Sequence, residues 1–179
     1  MQVAADLPIV SLMTPVDGME SVFGDDEGGG YAATCHLLDL GHRRIATLHG
    51  YLTNPSATDR TNGYYRALNE SGIDAKPQWA RLLEGSYYWG KRFTIEARRI
   101  VAQWLREDRS QLGCTALVCH NNEAAFGAIQ AFTEAGLRVL DDVSVIVFDG
   151  TGFCDLVSPG ISSVELPLRE IGSTAVHML

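Results

Sequence analysis

Apolar positions follow two alternating rhythms along this chain. At 44–50, 80–85, 115–120, 143–148 and 161–166 they form short runs, that at 143–148 rich in β-branched residues. Between the runs they recur every three or four residues. Compact apolar runs read as strands and the longer periodic segments as helices. Their regular alternation is the mark of an α/β protein, a largely parallel sheet covered by helices. Two shorter strands are expected ahead of these, at 8–13 and 21–25, joined by a turn around Pro15-Val16-Asp17-Gly18. The first helix opens at Asp26, with Asp25 or Asp26 able to cap it and Glu27 favourable in its first turn. It stops at Gly41 and carries Tyr31, Cys35 and Leu38, with Leu37 beside them, as its apolar stripe. Further helices are expected at 57–71 before Gly72, at 88–106 with Phe93, Ala97, Ile100, Val101 and Trp104 facing inward, at 122–135 before Gly136, and from about Pro167.

Length and charge narrow the classes. With 179 residues the chain is one domain, or at most one and a half. Its 14 Lys+Arg against 22 Asp+Glu give a formal charge of -8, a field that repels phosphate backbones, so a chain-wide nucleic-acid reader is disfavoured. No apolar run approaches the roughly 18 residues that span a bilayer, and the opening Met1-Gln2-Val3-Ala4-Ala5-Asp6 lacks a basic segment followed by an apolar one. Cys35, Cys114, Cys119 and Cys154 form no Cys-x-x-Cys pair and lie in apolar stretches, as buried free thiols of a reducing compartment do. A cytoplasmic location is expected. A zinc site from Cys114, Cys119 and His120 is disfavoured, because such ligands come from turns whereas Cys119 and His120 end a strand; no metal and no cofactor are expected. The chain begins close to a strand and stops inside a helical pattern, so it reads as an excised piece of a longer protein.

In an open parallel sheet, ligands sit beyond the carboxyl ends of the strands. That rule picks out His49 to Arg60, Gly85 to Trp89, His120 to Asn122 and Asp149 to Cys154. Arg60 precedes Tyr64 and Leu68 by one and two turns on the sheet-facing side of its helix, which aims it at the crevice; the plainer reading pairs it with Asp59 or Glu123 on the surface. Asp149 ends the most apolar strand, where Gly150 allows a sharp turn. It is either a cap for 151–157 or an acceptor for ligand hydroxyls. One of Asn121 and Asn122 caps the next helix, leaving the other to face the crevice. Arginine, aspartate and asparagine beside an aromatic, Tyr87 or Trp89, suit a polyhydroxylated ligand. Other chemistries lack their motifs. Gly28-Gly29-Gly30 has no Lys-Ser/Thr after it, and neither the dinucleotide fingerprint nor a Gly-x-Ser-x-Gly elbow occurs. His49 and His120 with Asp149 could form an acid–base set, but no nucleophile accompanies them.

The same residues resemble the LacI/GalR family of bacterial transcriptional regulators. The matching pieces are Asp25-Asp26-Glu27 with Gly29, the stretch His36 to Ala46 around Leu40-Gly41-His42-Arg43-Arg44, Arg60-Thr61-Asn62-Gly63-Tyr64, Glu84-Gly85, and Asn121 before Ala125-Phe126-Gly127-Ala128. Ala135-Gly136-Leu137-Arg138-Val139, Asp141-Asp142-Val143-Ser144-Val145, Phe148-Asp149, Pro159 and Ser162-Ser163-Val164 continue it in the family's order. The resemblance implies a periplasmic-binding-protein-like effector domain of two Rossmann-like, doubly wound lobes closing on a small molecule, usually a sugar or nucleobase. Residues 25–166 would be the C-terminal effector-binding and dimerising lobe. Residues 1–24 would be a remnant of the N-terminal lobe and 167–179 the return into it. The DNA-binding domain would lie outside this chain.

By the same resemblance Arg60, Tyr87, Asn121 and Asp149 bind the effector, and Phe126, Leu156 and Val157 meet a second copy in a homodimer. With most of the N-terminal lobe absent, the four ligand residues would face open water. Two departures leave the ligand's identity open: Asn121-Asn122 stands where the family often has Asn-Asp, and Leu166 stands where it usually has glutamine. The alternative is a solute-binding protein for transport, and a sugar-acting enzyme comes third. Operator DNA is expected as a partner only through the part outside this chain, and a membrane is not expected at all.

Overall fold

A computed structural model describes residues 7–50, 54–83, 91–107, 113–149, 152 and 154–179. Its elements in chain order are β1 (Ser11–Leu12), β2 (Ser21–Val22), α1 (Asp26–Asp39), β3 (Ile45–His49), α2 (Pro55–Glu70), β4 (Ala80–Leu82), α3 (Lys91–Glu107), β5 (Ala116–Cys119), α4 (Asn122–Glu134), β6 (Ser144–Phe148), β7 (Ser162–Val164) and α5 (Leu168–Met178). A 3-10 turn at Pro77–Trp79, which the sequence pattern did not suggest, leads into β4.

The main sheet has the order β4-β3-β5-β6-β7, and every pairing in it is parallel. Side chains of successive strand residues point to opposite faces, so one strand can feed two cores. Ile45, Ala116, Val118, Ile146 and Phe148 pack with α1 and α2, around Leu37, Leu38, Tyr64 and Leu68. Ala46, Leu48, Leu117, Cys119, Val145 and Val147 pack with α3 and α4, around Ala97, Val101, Trp104, Ala125 and Phe132. This is the doubly wound arrangement that the unbroken apolar runs imply. Strand order reverses between β3 and β5, and the carboxyl ends of those two strands flank the crevice where such sheets bind ligands. At the opposite end His42 bridges the Thr115 hydroxyl (2.8 Å) and the Ser144 hydroxyl (3.0 Å), tying the starts of β5 and β6 to the turn after α1.

The glycine run is spent on packing. Gly30 lies inside α1 and Gly63 inside α2, and a methyl group on either would overlap backbone of the facing helix, Arg60 for the first and Glu27 for the second. Glycine at both positions lets the helices cross backbone to backbone. The buried face of α1 is therefore Gly30, Ala33, Thr34, Leu37 and Leu38. Tyr31 and Cys35, expected to head that stripe, lie half-buried at its edge.

Contacts divide the chain into two compact units, Met1–Asp25 with Leu166–Leu179, and Asp26–Glu165. In the first unit β1 and β2 run parallel, with the Val16 to Met19 bridge closing the turn between them, and α5 packs against both strands. A two-stranded sheet buries little by itself. Leu7, Leu12, Phe23, Leu168 and Val176 accordingly stand exposed. Among the described residues no helix is long and apolar enough to cross a membrane.

Candidate functional site

The ends of β5 and β6 and the start of α1 converge on Arg60 of α2. Helix α2 begins at Pro55, two residues earlier than expected, because Asn54 caps it by accepting from the Ser56 amide (3.1 Å) and proline suits the first helical position. That start places Arg60 on the face that carries Tyr64 and Leu68, both fully buried. The guanidinium is 8% exposed. Its Nε donates to the Asp26 carboxylate at 2.6 Å, and one terminal nitrogen donates to the His120 carbonyl at 2.8 Å. Its terminal nitrogens also reach the Asp149 carboxylate at 3.3 and 3.4 Å, and its plane lies 4.3 Å from the centre of the Phe148 ring. The surface pairing with Asp59 or Glu123 is thus replaced by a buried pairing with Asp26 and Asp149. The expectation that Arg60 faces open water is corrected for the same reason: Asp26, Phe148 and the end of β5 enclose it.

Asp149 is placed differently from the sequence reading. The sharp turn expected at Gly150 is already made at Asp149, whose φ of 63° lies in the left-handed region. A non-glycine residue there costs on the order of 1–3 kcal/mol, and such strain collects at binding sites. Its amide donates to the Val164 carbonyl (3.2 Å) and its carbonyl accepts from the Asn122 side chain. The carboxylate is 37% exposed, so it meets solvent while it pairs with Arg60.

Asn121 and Asn122 divide their roles. Asn121 is the cap of α4, accepting from the Ala124 amide at 2.9 Å. Asn122 does not face the crevice. It is buried behind Asp149, and its Oδ1 accepts from the Cys154 thiol at 3.3 Å. Tyr87 and Trp89, the aromatic candidates, and Gly85 lie outside the described residues.

The two strand-end histidines stay neutral. Burial lowers His120 from 6.5 to about 3, helped by the nearby Arg60 charge and by His49. Its ring stacks on Phe93 with centroids 6.5 Å apart and presses on Gly50, where an added Cβ would come within 2.6 Å of Nε2. Burial also lowers His49, against the opposing hydrogen bond to the Gly50 carbonyl (3.2 Å). The described cluster therefore holds one guanidinium between two carboxylates and two neutral imidazoles. Its balance is negative, which suits a neutral ligand rich in hydrogen-bond donors better than an anion.

No group of His, Cys, Asp and Glu among the described residues could hold a metal ion. The four cysteines form no disulfide, and burial pushes Cys114 up to about 12 and raises Cys119 and Cys154, so those three offer no thiolate. Phe126 and Val157, the proposed dimer contacts, are half-buried against the core, whereas Leu156 is 80% exposed.

Asp26 and Asn122 are the site residues that sequence reasoning left in other roles. The sequence offers Asp26, with Asp25, as a helix cap and Asn122, with Asn121, as either the cap or a crevice residue, because an acidic or amide residue at a helix start carries the same signal whether it caps or reaches sideways.

Residues 34–179 match the family described as periplasmic binding protein-like domain. An HTH-type transcriptional repressor PurR of Aliivibrio salmonicida is 33% identical over 177 residues, 97% of this chain and 50% of that protein. The chain spans about half the length of the curated relatives it matches. A LacI family transcriptional regulator from Mycobacterium smegmatis superimposes with a TM-score of 0.83 at 31% identity, covering 96% of this chain and 60% of that one. A sugar-binding LacI family regulator from Escherichia coli, complexed with phosphate, gives 0.83 at 28% identity, covering 96% and 59%.

Proposed function

The chain belongs to the periplasmic-binding-protein-like domain family and corresponds to part of the effector-binding region of LacI-family transcriptional repressors, and from that premise we propose how it works. It senses a small, neutral, hydroxyl-rich effector, a sugar or a close relative, at the carboxyl ends of β3, β5 and β6. Arg60 anchors the site, Asp149 accepts from ligand hydroxyls, Asn121 offers the amide nitrogen that its cap does not use, and Tyr87 supplies an apolar wall. The observation that carries this reading is the convergence of Arg60, His120 and Asp149 at the strand ends beside the reversal in strand order.

Effector chemistry follows from the Arg60 contacts. The arginine meets Asp26 at 2.6 Å but Asp149 at 3.3 Å, so Asp149 is the partner that a ligand hydroxyl can recruit while Arg60 stays in place. Occupancy would bias two arrangements of the regulator and change operator affinity through a coupling of about 1–3 kcal/mol. DNA is read by another part of the protein, since this acidic chain shows no helix-turn-helix among its described residues. The site reads as a binding site rather than a catalytic one: burial lowers both histidines and so weakens them as bases, His120 to about 3, and no nucleophile is hydrogen-bonded to either among the described residues. The protein works in the cytoplasm and as a homodimer, joined through α4 and the segment carrying Leu156, with Phe126 and Val157 beneath it. The first unit, with its exposed apolar residues, would belong to an N-terminal lobe, and residues 25–166 would form the effector-binding lobe.

The test is a thermal-shift panel on the longer regulator that carries this chain, with D-glucose, D-ribose, cellobiose, the purine bases and inorganic phosphate. A neutral sugar should raise the midpoint, and Asp149→Ala should weaken its binding roughly 10- to 150-fold, the range of hydrogen bonds to charged groups. Stabilisation by phosphate alone, undiminished in Asp149→Ala, would refute the assignment.

A further inference from the structure

We infer that His49 is an effector-contacting residue, and that its Nε2 accepts a hydrogen bond from a hydroxyl of the bound molecule. His49 is the last residue of β3. Residues 45 to 48 pair in register with 116 to 119, and the His120 amide extends that ladder by donating to the Leu48 carbonyl at 2.9 Å, so His49 stands beside His120 at the end of the sheet that flanks the crevice. Strand alternation places its side chain on the face of Ile45, which packs with α1 and α2, the two helices that bring Asp26 and Arg60 to the site. Its Nδ1 lies 3.2 Å from the Gly50 carbonyl. A carbonyl oxygen only accepts, so the hydrogen of the neutral ring is on Nδ1 and Nε2 carries a lone pair.

That lone pair has no partner among the described residues. A half-buried acceptor left unpaired at a binding crevice needs a reason, and a ligand hydroxyl supplies one. Burial disfavours the charged ring, so the nitrogen stays bare at neutral pH instead of taking a proton from water. The neighbouring His120 ring is turned onto Phe93 and Gly50 instead. His49 and Asp149 are then two acceptors at the ends of β3 and β6, on either side of β5, and together they select a molecule that offers hydroxyl donors to both. A ligand oxygen without a hydrogen, as in a carboxylate or a phosphate dianion, would set lone pair against lone pair at His49. This role rests on the effector site proposed above.

Two amide replacements of the histidine tell ligand contact from scaffolding. Asparagine puts a nitrogen near the place of Nδ1 and can keep the Gly50 bond, but it ends short of Nε2; glutamine reaches the place of Nε2 with an acceptor oxygen. In titrations of the longer regulator with D-glucose, D-ribose and cellobiose, His49→Asn should weaken the sugar that the wild type takes by roughly 2- to 12-fold, the range of one neutral hydrogen bond, while His49→Gln stays within about 2-fold. Binding retained in His49→Asn, or weakened equally in both variants, would overturn the inference. The nitrogen-15 spectrum of the histidine rings needs neither variant nor sugar: in the effector-free protein His49 should be protonated on Nδ1 and bare on Nε2. The reverse tautomer would sink the inference even if the variants fail to fold. Asp149→Ala in the same titrations separates the two claims. Weaker binding there with His49→Asn unchanged overturns this inference alone; no binding of any of the three sugars to the wild type overturns it together with the effector class on which it rests.

Discussion

Arg60→Met should be among the most damaging single changes in this chain, and its cost should come from Asp26 rather than from Asp149. Arg60 and Asp26 are 8% and 7% exposed and 2.6 Å apart, so removing the guanidinium strands a buried carboxylate. Breaking a buried pair from one side costs about 3–5 kcal/mol. The Asp149 carboxylate is 37% exposed at 3.3 Å, and its loss as a partner should cost below about 1 kcal/mol. For a protein whose whole stability is of the order of 5–15 kcal/mol, the first change removes a large fraction and the second little. On the thermal scale of a domain this size, 3–5 kcal/mol corresponds to a fall of roughly 6–20 °C. Because a buried pair need not be more stable than an apolar substitute, Asp26→Leu with Arg60→Met should lose much less than Arg60→Met alone. Urea unfolding followed by the fluorescence of the buried Trp79 and Trp104 gives all the numbers, provided the slope with denaturant is the same in each variant. A loss below about 1 kcal/mol in Arg60→Met, or an equal loss in Asp149→Asn, would refute the assignment of the energy to the Asp26 pair.

Three more outcomes follow. Since the folded His120 holds its proton only below about 3 and the unfolded one below 6.5, the unfolded state takes up the extra proton between those values; stability should fall as pH drops through that window, by up to about 1.4 kcal/mol per unit, and His120→Asn should flatten the slope between pH 6.5 and 5. Gly63→Ala, which drives a methyl into the Glu27 carbonyl, should destabilise by about 1–3 kcal/mol in the same urea assay, whereas Gly72→Ala, with open space but φ 69°, should cost less than that. Leu156→Asp should shift sedimentation of the longer regulator from dimer toward monomer without lowering the melting midpoint of the monomer, because Leu156 is exposed; an unaltered sedimentation profile would remove Leu156 from the interface.

Much of the architecture is legible in the sequence because a parallel sheet covered on both faces leaves a coarse signal. The run Val145-Ile146-Val147-Phe148 is apolar at every position since alternate residues feed different cores, a pattern that β5 shares. Short edges are less legible: β1 and β7 have only two and three residues, and their ends are set by pairing partners that sequence does not reveal. Arg60 and Asp149 could be picked from topology alone, being next to strand ends. Their mutual geometry could not. Asp26 was visible as an acidic helix start, yet its partner lies 34 residues away and emerges only once Gly30 and Gly63 bring α1 and α2 together. Asn122 was hidden by its neighbour: two adjacent asparagines at a helix start compete for one capping role, and only the backbone of Asp149 decides what the second one does.

The most direct test maps where the effector lands. In nuclear magnetic resonance spectra of the longer regulator titrated with its sugar, signals of Arg60, Asn121 and Asp149 should move together and saturably, while those of His42, Thr115 and Ser144 at the opposite end of the sheet should stay. Saturable shifts centred on His42, Thr115 and Ser144, with Arg60 and Asp149 unmoved, would contradict the placement of the effector site at the carboxyl ends of β3, β5 and β6.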